Sequence, residues 1–231
     1  MLKVYIRKGN CHMRGKPVFT KEEKLLNEQR RLYEITAFER EYAAAGYKYI
    51  GGADEVGRGP LAGPVVACIV ILPEGFTYPG INDSKKVSKK LRAALSDVIK
   101  ENAVSYAVSE VSESEIDEIN ILNATKKAMT GAFELLPIKP DFILADAITI
   151  PEIAIAQKSV IGGDAKSITI AAASIVAKVY RDEVMVRYGV KYPQYGFERN
   201  MGYGTAEHIA ALKKYGPCPL HRRSFIRNFK V

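Results

Sequence analysis

The sequence predicts an α/β fold in which helices flank a mixed central sheet. Two apolar segments near the start, residues 48–56 and 64–72, are typical of strands and are joined by a connection rich in glycine and proline. Further along, segments with helical periodicity alternate with short apolar segments. Because paired strands come first and helices then alternate with strands, we expect both antiparallel and parallel neighbours in one sheet.

The elements can be predicted in order along the chain. Apolar residues between Leu25 and Tyr42 recur at roughly helical spacing, which predicts an amphipathic helix over 21–45 that packs on the main domain as a structural arm without a role in chemistry. Ser88 is a predicted N-cap of a helix that ends near Glu101. The later predictions are strands over 103–111, 142–145 (ended by Asp146) and 153–161, and helices over 112–118, 121–135, 167–187 and 205–215.

The chain has 231 residues, 47% of them hydrophobic and 26% charged, which is enough for one well-buried domain with small appendages. We divide it into an N-terminal extension over 1–46, which contains the amphipathic helix, a main domain over 47–204 and a small basic helical lobe over 205–231. Residues 1–19 show no clear period and are interpreted as a loose or strand-like extension.

The charge is unevenly distributed. The formal net charge is +8, residues 1–16 hold basic side chains and no acidic one, and the last segment is also basic with Glu207 as its only acid. Basic ends around a more acidic centre favour a polyanionic partner such as nucleic acid, although charge alone fits a basic protein with solvated lysines equally well.

Cysteine usage and hydropathy bear on the compartment. Cys11, Cys68 and Cys218 form no C-x-x-C pair, so Cys11-His12 and Cys218 with His221 give little support for a zinc site, and we expect reduced thiols and a cytoplasmic location. The longest apolar run is about eight residues, against ~20 for a membrane span. Residues 1–16 lack the apolar region of a signal peptide. We expect a monomer.

The peptide Asp54-Glu55-Val56-Gly57-Arg58-Gly59-Pro60 indicates a functional site, because adjacent carboxylates and two glycines around an arginine have no obvious use in a core. Asp54 and Glu55 lie near the end of one predicted strand, Asp146 ends another, and Asp164 follows Gly162-Gly163. Strand ends and helix starts gather at one edge of an α/β sheet, so we expect these four acids to converge.

Convergence of these acids requires compensation. At about 4 Å and an effective dielectric near 20, each like-charged pair costs roughly 4 kcal/mol, which bound Mg²⁺ or Mn²⁺ would offset. Alternatives stay open. Asp146 and Asp164 could be turn or capping residues, and Asp83 is equally available. Two further acids are less suitable: Asp141 lies at the wrong end of its strand, and Asp182 reads as a surface ion pair within a helix.

One geometric difficulty concerns Asp54 and Glu55. Adjacent side chains of a regular strand point to opposite faces of the sheet. We therefore expect the strand to end or bulge at this point, which Gly57 would permit, or one of the two residues to contribute its backbone carbonyl.

Several segments resemble the motifs of the ribonuclease HII family, and the likeness extends from about residue 48 to 228. They are residues 52–67, 82–86, 116–122, 171–179, 195–197, 202–205 and 221–225. The sister family, ribonuclease HIII, usually has Gly-Thr-Gly in place of Gly57-Arg58-Gly59, which favours HII. The 21–45 helix resembles the N-terminal extension of some bacterial members.

The resemblance implies an RNase H-like fold and an endonuclease that cuts the RNA strand of RNA–DNA hybrids and cuts 5′ of single ribonucleotides embedded in duplex DNA. It implies a two-metal mechanism that leaves a 3′-hydroxyl and a 5′-phosphate. The family's metal-binding and catalytic acids fall on Asp54, Glu55, Asp146 and Asp164. Its substrate-binding residues fall on Gly57, Arg58 and Gly59 (the ribose 2′-hydroxyl), on Tyr203 (stacking on the next sugar) and on Lys85 and Ser84 (the backbone phosphate).

Two alternative functions also remain open. A different metal-dependent nuclease of the same fold would share the acids but act on DNA, and a non-catalytic duplex-binding module would explain the charge alone. We interpret His12, His208 and His221 as structural or phosphate-contacting residues. The resemblance also leaves a sliding clamp open as a protein partner.

Overall fold

A computed structural model of the chain describes residues 20–229. The predictions for residues 1–19, including the Cys11-His12 pair, lie outside these residues, as does Lys230. The helices and strands, in order, are α1 (Lys21–Ile35), α2 (Ala37–Ala44), β1 (Ile50–Val56), β2 (Val65–Ile71), α3 (Lys89–Asn102), β3 (Ser105–Val111), α4 (Glu113–Leu135), β4 (Phe142–Asp146), β5 (Ala156–Val160), α5 (Ile168–Lys191), α6 (Phe197–Asn200), α7 (Ala206–Tyr215) and α8 (Arg223–Ile226).

The five strands form one mixed sheet in the order β3-β2-β1-β4-β5. β1 pairs with β2 and β2 with β3 in antiparallel fashion, whereas β4 runs parallel to both β1 and β5. The predicted α/β class with a mixed central sheet is therefore confirmed. Because β1 and β4 are parallel neighbours, their carboxyl ends lie side by side at one edge of the sheet.

Helices cover both faces of the sheet. On one face, Cys68 and other residues of β2 pack with Leu95 of α3 and with the alanine-rich first half of α5. On the other face, Ala67 and its neighbours pack with Ala124 and Met129 of α4. A Cβ atom on Gly52 would lie 2.0 Å from the carbonyl carbon of Thr169, so α5 begins directly against β1. This close approach places the start of α5 beside the site described below.

The predicted helix over 21–45 is two helices, and the prediction of one amphipathic helix was wrong. Thr36 interrupts it with φ −95° and ψ 10°, and its hydroxyl donates to the Leu32 carbonyl at 3.0 Å. The side chains of Leu25 and Leu26 are exposed, so much of the apolar residue content of α1 does not face the main domain. The polar contacts that α1 and α2 do make are described below.

The break predicted between 118 and 121 is present as a kink at Asn120, which has φ 66° and ψ 164°. Strand β5 is shorter than predicted, and α5 continues to Lys191. The expectation of a surface ion pair at Asp182 was wrong, since Asp182 is 8% exposed and pairs with Lys178 and Arg92. Between α5 and α7, the predicted loop contains the short helix α6 and a 3-10 turn over Pro193–Tyr195.

The C-terminal segment packs on the loop that follows β1. Leu61 contacts Leu212 of α7 and Ile226 of α8 in one apolar cluster, and Ala62 forms an isolated bridge with His221. Arg222, counted in the sequence among the basic residues of the tail, is fully buried and is therefore not available to a polyanion. The division into segments 1–46, 47–204 and 205–231 remains a prediction. Of the helices in the described range, none has the length and hydropathy needed to cross a bilayer.

Candidate active site

The acidic residues singled out in the sequence lie at the carboxyl ends of β1 and β4 and in the turn before α5. Asp54 is 5% exposed and Asp164 7% exposed. The backbone N–H of Gly163 donates to Asp146 Oδ1 at 2.7 Å, which joins the end of β4 to the turn that carries Asp164. A Cβ on Gly163 would lie 2.5 Å from Ile170 Cδ1, so the turn lies close against the start of α5, and a larger residue here would have to displace the end of the Ile170 side chain.

Strand β1 neither ends nor bulges at Asp54 and Glu55, which contradicts the first of the two expected solutions. Asp54 pairs with Cys68, Glu55 with Ala67 and Val56 with Val66 in unbroken register. Cys68 belongs to the core on the α5 side and Ala67 to the core on the α4 side. Asp54 and Glu55 therefore leave the strand on opposite faces. The Glu55 side chain instead contacts Arg58, with Oε1 3.2 Å from Nη1.

The carboxylates influence one another electrostatically. Burial raises the pKa of Asp54 well above its usual range, the charges of Glu55 and Asp146 raise it further, and a hydrogen bond from Ser174 opposes them. Burial also raises the pKa of Glu55, against the lowering effect of Arg58 and with a contribution from Asp146. The pKa of Asp164 is raised by burial, then by Asp83 and Asp146, against Lys85. This edge of the sheet therefore concentrates carboxyl groups, and Arg58 and Lys85 offset only part of the effect of burial and mutual repulsion on their pKa values.

The chemistry of these side chains fits a hard divalent cation. Carboxylate oxygens are the preferred ligands of Mg²⁺ and Mn²⁺. Glu55 Oε2 is buried and has no hydrogen-bond partner among the described residues, so one oxygen is left without a proton donor. In the described range, no three His, Cys, Asp or Glu side chains stand close enough to surround an ion as they are. A cation that enters this edge would have to draw the carboxylates together.

The loop after β1 is held from inside by two buried arginines. Arg222 donates to the carbonyl oxygens of Gly57 at 2.6 Å, Arg58 at 2.9 Å and Gly63 at 2.7 Å. Arg181 donates to Pro64, Ala62 and Met201, and a Cβ on Gly57 (φ +94°) would lie 2.3 Å from its Nε. Burial, followed by the Arg181 charge, lowers the pKa of Arg222 to about 9, so it stays cationic at neutral pH.

Arg222 binds the carbonyl groups of Gly57 and Arg58, of which Gly57 is buried, whereas Arg58 and Gly59 are exposed. In the part of the chain that the structure describes, the N–H groups of Gly57, Arg58 and Gly59 donate no hydrogen bond within the protein. A Cβ on Gly59 would approach only Tyr203 Cε1, at 4.0 Å, so glycine at this position leaves a gap beside that ring. Tyr203 itself is 45% exposed. Free donors, open space and an exposed aromatic ring suit a polar ligand with a flat or ring-shaped part.

The predicted phosphate-binding residues contact Asp164 and the start of α5. Lys85 Nζ is 3.5 Å from Asp164 Oδ2, and Ser84 Oγ is 3.0 Å from Ser174 Oγ of α5. Burial alone would lower the pKa of Lys85, but the carboxylates of Asp164, Asp83 and Asp54 outweigh it and raise the pKa. Lys85 therefore remains a cation directly beside the acidic edge.

His208 and His221 form a buried pair behind Tyr203. Their Nε2 atoms are 3.1 Å apart, and His208 Nδ1 lies 2.9 Å from the Tyr203 carbonyl oxygen. A carbonyl only accepts, so His208 carries its proton on Nδ1 and accepts at Nε2 from His221. His221 Nδ1 then accepts from the Cys218 N–H at 3.0 Å. Both rings are neutral and buried, so in this structure they have a structural role and do not contact solvent-borne phosphate.

Some residues that shape the site had no role assigned from the sequence. Asp83 raises the pKa of Asp164, Ser174 contacts Ser84, and Arg181 and Arg222 hold the loop of Gly57. Arg222 and Ser174 lie within motifs recognised in the sequence, but composition alone could not reveal that a basic residue in a basic tail is buried against backbone carbonyls.

Comparison with known proteins identifies the family. A family model described as Ribonuclease HII matches residues 51–228. The chain belongs to the ribonuclease HII family. The ribonuclease HII of Ruminiclostridium cellulolyticum is 54% identical over 202 residues, which are 87% of this chain and 79% of that protein. Membership makes the chain an enzyme, a hydrolase of the ribonuclease H type 2 class.

Solved structures agree with this assignment. Ribonuclease H2 from Pyrococcus horikoshii OT3 has a TM-score of 0.66 at 28% identity, over 79% of this chain and 97% of that chain. A chain in the PCNA:RNase HII complex from Archaeoglobus fulgidus has a TM-score of 0.61 at 25% identity, over 75% of this chain and 93% of that one. The predicted RNase H-like fold and the predicted family are therefore confirmed.

Proposed function

We propose that the chain is an endoribonuclease that cuts the RNA strand of RNA–DNA hybrids and cuts 5′ of single ribonucleotides in duplex DNA. This proposal rests on one observation: two different features of the structure lie next to each other. An acidic edge formed by Asp54, Asp146 and Asp164 lies directly before the loop of Gly57, Arg58 and Gly59, whose N–H groups donate no hydrogen bond among the described residues. The acids suit phosphodiester hydrolysis, and the loop suits recognition of a hydroxyl group on the sugar.

The acids have the following proposed roles. Asp54, Glu55, Asp146 and Asp164 hold two divalent cations, Mg²⁺ or Mn²⁺. When bound, such a pair supplies activation of the attacking water and stabilisation of the leaving 3′-oxygen. Asp54, with charged neighbours on two sides, takes the central position. Glu55 joins either through its backbone carbonyl or by its side chain turning around the strand, and Arg58 holds that side chain in the absence of a cation.

Substrate recognition is proposed to come from three elements. The backbone of Gly57, Arg58 and Gly59 meets the ribose 2′-hydroxyl, with Arg222 keeping the carbonyls of Gly57 and Arg58 turned inward. The Tyr203 ring stacks on the sugar of the following deoxynucleotide. Lys85, assisted by Ser84, binds the phosphate. The 3.5 Å distance from Lys85 Nζ to Asp164 Oδ2 supports a phosphate position next to the proposed cations.

The decisive experiment uses a labelled DNA duplex with one embedded ribonucleotide, incubated with Mg²⁺ or Mn²⁺, and maps the cut to the nucleotide. We expect one cut on the 5′ side of the ribonucleotide, with a 3′-hydroxyl and a 5′-phosphate. A matched all-DNA duplex should stay intact, and EDTA should stop the reaction. Cleavage of the all-DNA duplex would instead indicate a DNA nuclease of the same fold, and cleavage in EDTA would exclude the metal mechanism.

Partners and location are part of the proposal. The solved archaeal relative is in complex with PCNA, and we propose a sliding clamp as a partner of this chain, to be tested by co-elution with a purified clamp. We propose a monomer, which light scattering would check. Cys68 and Cys218 are free and buried, which agrees with a cytoplasmic location.

A further inference from the structure

Helix α1 forms hydrogen bonds with the backbone of residues 80 and 81, just before the loop that carries the proposed phosphate-binding residues. Arg31 Nη1 donates to the Ile81 carbonyl at 2.8 Å, and the Gly80 N–H donates to Glu28 Oε1 at 3.1 Å. Glu28 and Arg31, one helical turn apart, also bind each other through two hydrogen bonds of 2.8 and 2.7 Å. Glu28 and Arg31 therefore bind the N–H group of Gly80 and the carbonyl group of Ile81, which lie about fifty positions later in the chain.

These hydrogen bonds constrain the start of the loop over residues 82–85. Ile81 is fully buried, and the next residues are Asn82, Asp83, Ser84 and Lys85. At the other end, Val87 is buried and Ser88 caps α3. Ile81 packs in the core with residues of β2, α3 and α5. The hydrogen bonds from α1 to the backbone of Gly80 and Ile81 add a second constraint on the direction in which the loop leaves this core.

Helix α2 makes a second contact, with the start of α5. Glu39 Oε1 accepts from Ser167 Oγ at 2.5 Å, from the Thr169 N–H at 3.0 Å and from Thr169 Oγ1 at 2.8 Å. A carboxylate at the N-terminus of α5 is favourable because of the helix dipole. The Ser167 N–H in turn donates to the Gly163 carbonyl at 2.8 Å. Glu39 is thus connected to the turn that carries Asp164 through two successive hydrogen bonds, by way of Ser167.

Apart from these hydrogen bonds, α1 and α2 pack unevenly on the main domain. Phe38 and Tyr42 of α2 pack on the edge of the sheet, but Leu25 and Leu26 of α1 are exposed. A cavity of about 690 Å³, lined among others by Tyr33, Glu39 and Phe76, separates parts of the helix pair from the main domain. Ile35, the last residue of α1, is buried in the main core. Because Leu25 and Leu26 are exposed, the first part of α1 is held by the polar contacts of Glu28 and Arg31.

We propose that the helix pair 21–44 is a positioning element for the active site. Glu28 and Arg31 set the loop that carries Ser84 and Lys85, and Glu39 sets the turn that carries Asp164. This inference rests on the proposed function of those residues and replaces the expectation that the helix has no role in chemistry. The two contacts have separate kinetic signatures, because one bears on substrate phosphate and the other on a cation ligand.

The first test uses the full chain with Glu28→Ala and Arg31→Ala on the single-ribonucleotide duplex. We expect KM to rise by about fivefold with kcat changed less than about twofold, since a hydrogen bond to a charged group is lost from the loop's anchor. Glu34→Ala is the matched control, because Glu34 lies exposed on the same helix and pairs with Arg30. Equal KM values for all three variants and the wild type would overturn the role of α1.

The second test uses Glu39→Ala and the conservative Glu39→Gln. Calorimetric titration with Mn²⁺ alone should show about fivefold weaker binding for Glu39→Ala and near wild-type binding for Glu39→Gln, whose side-chain oxygen still accepts. Unchanged Mn²⁺ affinity in Glu39→Ala at equal folded fraction would overturn the role of α2. If the wild type binds Mn²⁺ but does not cut at the ribonucleotide, the proposed substrate fails while this titration still decides the positioning role.

Discussion

Buried carboxylates at the end of β1 carry both the proposed chemistry and an electrostatic cost. Asp54 lies near the charges of Glu55 and Asp146, and its Oδ1 accepts a hydrogen bond from the Glu55 N–H at 2.7 Å. At the scale of single residues, function and stability therefore conflict at this site. Replacing a carboxylate by an amide of the same shape should distinguish the loss of activity from the gain in stability.

Asp54→Asn tests this conflict. We expect cleavage to fall by about a thousandfold or more, because a central cation ligand is lost. In EDTA the melting temperature should equal or exceed that of the wild type, because repulsion with Glu55 and Asp146 is relieved. Gel-based cleavage and calorimetry check both. Retained turnover would exclude Asp54 as a ligand.

Tyr203 is exposed beside Gly59, so its ring can be removed without loss of core packing. Tyr203→Ala should lower the rate at an embedded ribonucleotide by about tenfold, since stacking of this kind contributes ~1–3 kcal/mol. Tyr203→Phe keeps the ring and should retain most of the rate. If the alanine variant cuts at the same rate and position as the wild type, the ring has no role in recognition.

The His208–His221 pair predicts a pH dependence of folding. Burial, followed by the His208 charge, lowers the pKa of His221 from 6.5 to about 4. The unfolded chain therefore takes up this proton first as the pH falls, and the folded state loses stability below about pH 6.5. Between pH 7 and 5 this group should remove about 2 kcal/mol. Urea unfolding of His221→Gln should show a correspondingly flatter pH profile, and identical profiles would contradict it.

At the scale of elements, backbone breaks lie where short polar side chains take over the hydrogen bonds of a helix. Thr36 divides α1 from α2, and Asn120 divides α4 into two parts. Asn120 Oδ1 accepts from the Leu122 N–H at 3.0 Å and the Asn123 N–H at 3.1 Å, which caps the second part.

Asn120→Ala should lower the free energy of unfolding by about 1–2 kcal/mol, because the cap is lost and alanine is less tolerant of φ 66°. Asn120→Asp keeps the acceptor and should remain within about 0.5 kcal/mol of the wild type. Urea unfolding measures both values. A neutral alanine variant would mean that α4 relaxes to a straight helix at no cost.

At the scale of the whole molecule, charge and fold act together. The net charge of +8 favours duplex binding, but buried Arg222 and Arg181 serve the loop and leave the surface to others, such as Arg223 and Arg227. Only exposed cations release counterions from the nucleic acid.

Duplex affinity should therefore fall steeply with salt, and Arg223→Ala with Arg227→Ala should make the slope of log K against log salt shallower by up to about two. Lys21→Ala with Lys24→Ala removes the same charge from α1 and is the matched control. Fluorescence anisotropy with a labelled duplex in Ca²⁺ measures both slopes. A wild-type slope near zero would exclude backbone binding by the C-terminal segment.

Much of the fold could be predicted because local patterns and tertiary packing agree. The N-cap Ser88 and the alternating strand over 103–111 were correctly predicted, since the same residues are favourable locally and in the folded core. The continuous helix over 21–45 could not be corrected from sequence, because whether Leu25 and Leu26 are buried depends on where the main domain's surface lies. The surface assignment of Asp182 failed for the same reason, since the distant Arg92 covers it.

The sequence by itself determined the family and the mixed α/β class, because those depend on residue types at fixed spacing. Only the tertiary structure decided that Asp54 and Glu55 leave a regular strand on opposite faces, that Arg222 turns the Gly57 carbonyl inward, and that Glu28, Arg31 and Glu39 brace the site. Those facts depend on contacts between residues far apart in the chain, and the spacing of residue types along a sequence carries no record of such distances.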